Sequence, residues 1–203
     1  ILWVGLSNQG LIKYNLADDS FEKLDILQNG RMTSNRVRAL YLDKDEVLWI
    51  GTAKRGGLIR YDTKSGSIRR YGETNDENGL ANDRVYDIKE DHRGNLWIAT
   101  FNGMSIYLRE EDQFLHFYAG DGQNSMAFEK STQIEFEAND VAWISSEKGL
   151  TKAEVPLNGN YSQMKFTVFN SAKYAEQGMV GDLIYDFELT RDKLWMATDN
   201  GLI

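Results

Sequence analysis

Cysteine is absent from this 203-residue chain, which removes disulfides, thiol nucleophiles and thiolate metal sites from its chemistry. Proline occurs once, at Pro156, and the 18 glycines are spread along the chain, so there is no proline-rich spacer and no glycine-rich linker. No run approaches the roughly 20 apolar residues that a membrane-crossing helix needs. Basic residues are scarce: 23 Lys and Arg stand against 31 Asp and Glu, for a net charge of −8. No cluster of Lys and Arg is present to neutralise a phosphate backbone, so nucleic acid is excluded as a partner.

Histidine is nearly absent as well. His92 falls in an expected turn and His116 in an expected strand, so the two share neither a metal nor a catalytic triad. The nucleophile-elbow, zincin and P-loop patterns are missing. Acidic residues such as Asp43 with Asp45, Glu90 with Asp91, and Asp121 lack the central glycine and final glutamate of a calcium loop. They read instead as Asx turns in hairpins, and Glu110, Glu111 and Asp112 as a solvated turn. The expectation is a non-catalytic segment without cofactor or metal.

What is present is a repeat. The tryptophans stand at Trp3, Trp49, Trp97, Trp143 and Trp195, at intervals of 46, 48, 46 and 52 residues, each inside one apolar word: LWVG, LWIGT, LWIAT, AWISS and LWMAT. Intervals of about 40–50 residues are those of four-stranded propeller blades. Each unit divides into four short runs of β-branched and aromatic residues separated by polar turns. An alternating run comes first (RVRALYLD, RVYDIKED, TQIEFEA, LIYDFEL) and the tryptophan word follows. A third run (GLIKYN, GLIRYD, GMSIYL, GLTKAEV) and an aromatic fourth (SFEKL, SIRRY, QFLHFY, KFTVF) complete the unit. Links this short force antiparallel neighbours, and no segment sustains a 3.6-residue period, so helices are not expected.

The reading is all-β: a β-propeller segment of four-stranded antiparallel blades, four to five repeats, spanning 1–203 without a composition break. The expected boundaries are a partial blade at 1–24, blades at about 35–71, 82–118 and 131–169, and a partial blade at 181–203. The second strand is apolar on both sides because it lies between neighbouring sheets, with the tryptophan as spacer and Gly51 or Ala99 leaving room beside it.

The stretches DRVYDIKEDHRGNLWIATFNGMSIY (Asp83–Tyr107) and NRVRALYLDKDEVLWIGTAKRGGLIRYD (Asn35–Asp62) resemble the two-component regulator propeller repeat. The match weakens in the fourth unit, where Ala142 replaces leucine. The resemblance implies a periplasmic sensor region of an inner-membrane protein, upstream of a membrane helix and a histidine kinase or another output domain. It implies ligands that are often carbohydrate fragments and a parent ring of about seven blades. The chain is then expected to be a piece of a larger ring, packed against neighbouring blades of its parent, with a homodimer left open.

In such a meander the links between strands two and three, and from one unit to the next, share one face. The candidate ligand-binding residues on it are Lys54, Arg55, Phe101, Asn102 and Lys148 at loop tips, and Arg31, Arg36, Asn82 and Arg84 at entries to the first strands. Arginine, asparagine and an aromatic ring suit a sugar or an acidic oligosaccharide through bidentate hydrogen bonds and stacking. A protein-docking scaffold and a propeller lyase are the alternatives.

Overall fold

In the computed structural model the described residues are 1–24, 36–53, 56–74, 76–120, 125–126, 129–138, 140–179, 181–191 and 193–203. They form five antiparallel sheets. The first contains β1 (Leu2–Leu6), β2 (Gly10–Asn15) and β3 (Ser20–Leu24). The second contains β4 (Val37–Leu42), β5 (Val47–Thr52), β6 (Leu58–Asp62) and β7 (Ile68–Tyr71). The third contains β8 (Val85–Glu90), β9 (Leu96–Thr100), β10 (Met104–Leu108) and β11 (Gln113–Phe117). The fourth contains β12 (Ser131–Ala138), β13 (Val141–Ser146), β14 (Gly149–Glu154) and β15 (Lys165–Phe169). The fifth contains β16 (Ile184–Leu189), β17 (Leu194–Thr198) and β18 (Gly201–Leu202). Every sheet is a simple meander, as links too short for a crossover require.

The sheets stack in chain order, and adjacent ones meet most closely through β4, β8, β12 and β16. Those strands therefore form the inner edge of a fan, with β7, β11 and β15 at the rim. The hydrophobic residues sort by seam. Leu11, Leu48 and Ile50 fill the first seam, and Trp49, Leu58, Ile88 and Tyr107 the second. Trp97, Met104, Ile134 and Met164 fill the third, and Leu150, Ile184 and Phe187 the fourth. Strand β5 is buried along its whole length because it feeds two seams at once. Leu48 and Ile50 face one neighbour and Trp49 the other.

Glycine in the tryptophan word is a clearance residue. A Cβ on Gly51 would lie 2.5 Å from Val85 Cγ1, and one on Gly5 would lie 2.4 Å from Val37 Cγ1, in each case a side chain of the next sheet. Trp49 and Trp97 are 1% and 0% exposed, whereas Trp195 is 41% exposed. The indole is thus a full spacer in the second and third sheets and only a partial one in the fifth, where among the described residues no sheet covers its other side.

One expectation needs correction. The link after β15 holds a helical turn, α1 (Ser171–Tyr174), followed by a 3-10 turn (Ala175–Gln177). The Asn170 side chain caps it by accepting from Lys173 N, and Gly178, at φ 97°, ends it. A helix this short carries no amphipathic period, so its only trace in the sequence is its caps.

Candidate functional site

The two faces of the fan separate as alternating hairpins dictate. On one, Thr63 N donates to Glu46 O at 3.2 Å, which joins the β6–β7 turn to the β4–β5 turn. On the other, Gly57 N donates to Asp83 O at 3.0 Å and Phe101 N to Arg84 O at 3.0 Å, joining the turn after each second strand to the entry of a first strand. Gly103 N likewise donates to Glu129 O. The second of these faces carries the residues selected from the sequence.

Arg31, Lys54 and Arg55 lie outside the described residues. Arg36 and Arg84 each immediately precede a first strand, and Ala53 N donates to Arg36 O at 2.8 Å just as Phe101 N does to Arg84 O. The Arg84 guanidinium stacks over the Phe101 ring, 4.6 Å from its centroid, and that ring is 41% exposed. Asn102 is exposed at the tip beside it. Asn82 is occupied by its own turn: its Oδ1 accepts Arg84 N at 3.1 Å and its Nδ2 donates to Glu73 Oε2 at 3.0 Å. Lys148 sits in the exposed β13–β14 turn, its backbone N–H on Ser146 Oγ at 3.2 Å. The structure thus joins Arg84 with Phe101 directly, gives Asn82 a turn role, and leaves Lys148 on a separate tip.

Sequence reading missed a second tier. The register between first and second strands slips between Val37 and Ala39, Val85 and Asp87, Ser131 and Gln133, and Ile184 and Asp186. Each slip is a β-bulge that leaves one residue without a cross-strand partner and turns its side chain aside. The bulged residues are Arg38, Tyr86, Thr132 and Tyr185, all at the inner edge on the candidate face. The Arg38 guanidinium lies 4.4 Å from the Tyr86 ring centroid, and Lys130 Nζ lies 5.2 Å from the same centroid. Lys130 also pairs with Glu147. It precedes β12 as Arg36 precedes β4 and Arg84 precedes β8, so three successive sheets open with a cation. That row is visible in the sequence once the repeats are aligned on their first strands, whereas the bulges are not.

After two of the bulges the next residue ties the seam. Asp87 Oδ2 accepts Ile134 N at 2.9 Å, and Gln133 exchanges two bonds with the Phe187 backbone, at 2.9 and 3.1 Å. Burial pushes the Asp87 carboxyl above the ordinary aspartate value, against the pull of the Ile134 N–H and of Lys89.

Reactive chemistry is hard to assemble from these groups. His116 Nε2 is 2.9 Å from the Asp76 carbonyl, which can only accept, so Nδ1 accepts from Ser105 Oγ at 3.2 Å. That hydroxyl is fully buried, takes Ala81 N at 2.9 Å, and anchors a link rather than facing a substrate. Among the described residues no group of three or more His, Asp and Glu side chains is placed to hold a metal. Two hollows lie away from the selected residues: an apolar one of about 300 Å³ between the fourth and fifth sheets, and a polar one of about 440 Å³ on the opposite face beside Asn95, Arg109 and Tyr161.

Two segments, residues 31–54 and 79–102, match the model of the two component regulator propeller family, so the chain carries repeats of that kind. It is 25% identical over 218 residues to Histidine kinase P4 of Formosa agariphila, covering 83% of this chain and 16% of the kinase. Among solved structures, it is similar to the extracellular domain of what is described as a hybrid two component system from B. thetaiotaomicron. That match has 20% identity and a TM-score of 0.63, over 98% of this chain and 31% of the other. Virginiamycin B lyase from Staphylococcus aureus matches with 16% identity and a TM-score of 0.66, over 99% and 64%. At such identities the solved structures establish the propeller fold alone. The chain spans less than a third of the hybrid-system domain and about a sixth of the kinase.

Proposed function

We propose that this propeller segment is part of the extracytoplasmic sensor region of a two-component signalling protein. It binds a ligand on the face carrying Arg84 and Phe101, and the occupied state biases a downstream kinase or other output domain. The observation that carries this reading is the pair of successive regulator-propeller repeats, 31–54 and 79–102. The similarity to a histidine kinase supports it, as does the exposed cation–aromatic pair on the loop face. Loops on a rigid sheet scaffold suit a sensor because recognition can vary while the fan stays fixed. The described residues contain no helix long and apolar enough to cross a membrane, so coupling to a membrane would run through other parts of the parent protein.

A thermal-shift screen of the chain against an oligosaccharide panel tests the ligand-binding half of the reading. A ligand at a hundred times its dissociation constant stabilises the folded state by about 2.7 kcal/mol, which reads as a clear rise in Tm. A rise that disappears in Arg84→Gln and Phe101→Ala supports the proposed face. A flat response across the panel, with wild type and both variants alike, counts against it.

A further inference from the structure

We propose that the inner edge of this face is an anion-recognition row, with Arg38 and Lys130 against Tyr86 and Arg84 against Phe101, and that its ligand is a saccharide bearing carboxylate or sulfate groups. The inference rests on the reading that this face binds ligand, and it names the ligand's chemistry and the residues that select it.

Placement comes first. The cations belong to the starts of three adjacent first strands, the part of the fan where neighbouring sheets approach most closely. Arg84 and Lys130 occupy the same repeat position one sheet apart, and Arg38 is delivered by the bulge of the sheet before. A bulge costs a ladder position and is kept where a side chain must be re-aimed. Here it lays the Arg38 guanidinium on Tyr86, itself the bulged residue of the next sheet.

Charge comes second. Among the described residues, neither Arg38 nor Arg84 has a carboxylate partner: Arg38 is held by Tyr86 and Arg84 by Phe101. An aromatic face fixes a guanidinium without neutralising it, so the field remains available to a ligand. Lys130, the third cation of the row, is shared with Glu147, and elsewhere cations are spent on carboxylates, as in Arg93 with Asp140 at 2.5 Å and Arg109 with Asp43 at 2.8 Å. Leaving two arginines unneutralised at one edge of a chain of net charge −8 is therefore a local feature that composition hides.

The ligand class follows from the mixture. A bare anion would use only the cations. An acidic sugar uses these and also lays its C–H face on an aromatic ring, for which Phe101 and Tyr185 are 41% and 67% exposed. A neutral sugar would use the rings and leave the guanidinium charges idle.

Isothermal titration of the whole chain with four probes decides it: an oligogalacturonate hexamer, a sulfated dextran oligosaccharide, maltohexaose and inorganic sulfate. The expected result is binding of at least one acidic saccharide about tenfold or more tighter than maltohexaose and inorganic sulfate, weakened by salt. Arg38→Gln and Lys130→Gln, checked for wild-type melting, should each weaken that binding about tenfold. Equal affinity for maltohexaose, or full binding in Arg38→Gln when Arg84→Gln and Phe101→Ala abolish it, overturns the row and leaves the ligand face standing. Inorganic sulfate binding as tightly as the sulfated sugar overturns the saccharide class. Wild type binding none of the four overturns the row and the face together.

Discussion

The indole Nε1 of Trp97 donates to Asp91 Oδ2 at 3.0 Å, while Oδ1 of the same carboxylate accepts the backbone N–H of Arg93 at 2.9 Å and of Asn95 at 3.0 Å. Asp43 serves Trp49 at 2.9 Å in the sheet before and holds Asp45 N and Val47 N. Glu137 serves Trp143 at 2.7 Å in the sheet after. In the second and third sheets the acidic turn residue and the tryptophan six positions on are therefore one unit, which closes the hairpin and fixes the ring that spaces the sheets.

Asp91→Ala strands a buried indole N–H and two turn N–H groups, and it should cost about 3 kcal/mol or more of unfolding free energy. Trp97→Phe keeps most of the ring volume but removes the indole N–H, leaving the carboxylate one donor short and a gap beside it, for about 2–4 kcal/mol. Urea denaturation followed by circular dichroism reads both. Losses under about 1 kcal/mol in each would show that the pair is incidental.

A fourth donor reaches each aspartate from the following sheet. For Asp43 it is Arg109 Nη1 at 2.8 Å, and for Asp91 it is the Tyr161 hydroxyl at 2.5 Å. The position that Arg109 holds after β10 is Val155 after β14, which cannot donate through its side chain. The longer link 155–164 folds back instead and brings Tyr161 to the same place, at the start of a 3-10 turn (Tyr161–Gln163) capped by Asn160. Tyr161→Phe should therefore cost about 1–2 kcal/mol, with the loss absent in an Asp91→Asn background if the bond is the reason. A double-mutant cycle measured by urea unfolding gives that coupling directly.

The blade count, strand order and seam packing were legible because each lies on a single periodic signal: a tryptophan word, an alternating run, a turn. Trp49 between Leu48 and Ile50 already told which side chains face which neighbour. Asp112 is exposed in its turn as read, but the reading missed what its side chain does. Its carboxylate binds Arg69 at 2.6 Å and Tyr107 Oη at 2.8 Å, because a turn residue on one sheet lies beside a rim strand of another. Asp43 and Asp91 make the Asx turns expected of them, yet their second oxygens carry the tryptophan contacts that no local pattern announces, and Asp121 lies outside the described residues. On the candidate face, Arg84 and Phe101 could be chosen as loop residues. Arg38 and Tyr86 could not, because a bulge shifts register without changing the alternation of residue types.

Gly51 tests the clearance argument. Its backbone is ordinary for a strand, so Gly51→Ala meets steric conflict alone, chiefly with Val85 Cγ1 at 2.5 Å and more mildly with Ala39 Cβ at 3.0 Å. The expected cost is about 1–3 kcal/mol, from sheets forced apart along the second seam. Adding Val85→Ala to this variant should recover part of it, although Val85→Ala alone destabilises by opening a cavity. Additive losses in the double variant, followed by thermal melts, would place the constraint elsewhere.

Acid sensitivity should divide between two carboxylates of opposite sign. Burial pushes Asp43 up, but hydrogen bonds from Trp49, Arg109 and the Val47 N–H outweigh it and hold the group below its usual range. A folded value below the unfolded one contributes stability that is complete above about pH 4 and fades as pH falls through the folded value. Asp87 is raised, chiefly by burial, so the folded state binds its proton more tightly than the unfolded chain. Its contribution therefore weakens as pH rises from about 4 through the folded value. Each group can tilt the stability curve by at most about 1.4 kcal/mol per pH unit inside its own window. Urea midpoints from pH 3 to 7 separate them: Asp43→Asn should flatten the acid limb below about pH 4, and Asp87→Asn the decline above it. A wild-type profile unchanged in shape by both substitutions would remove these two groups from the pH response of the seams.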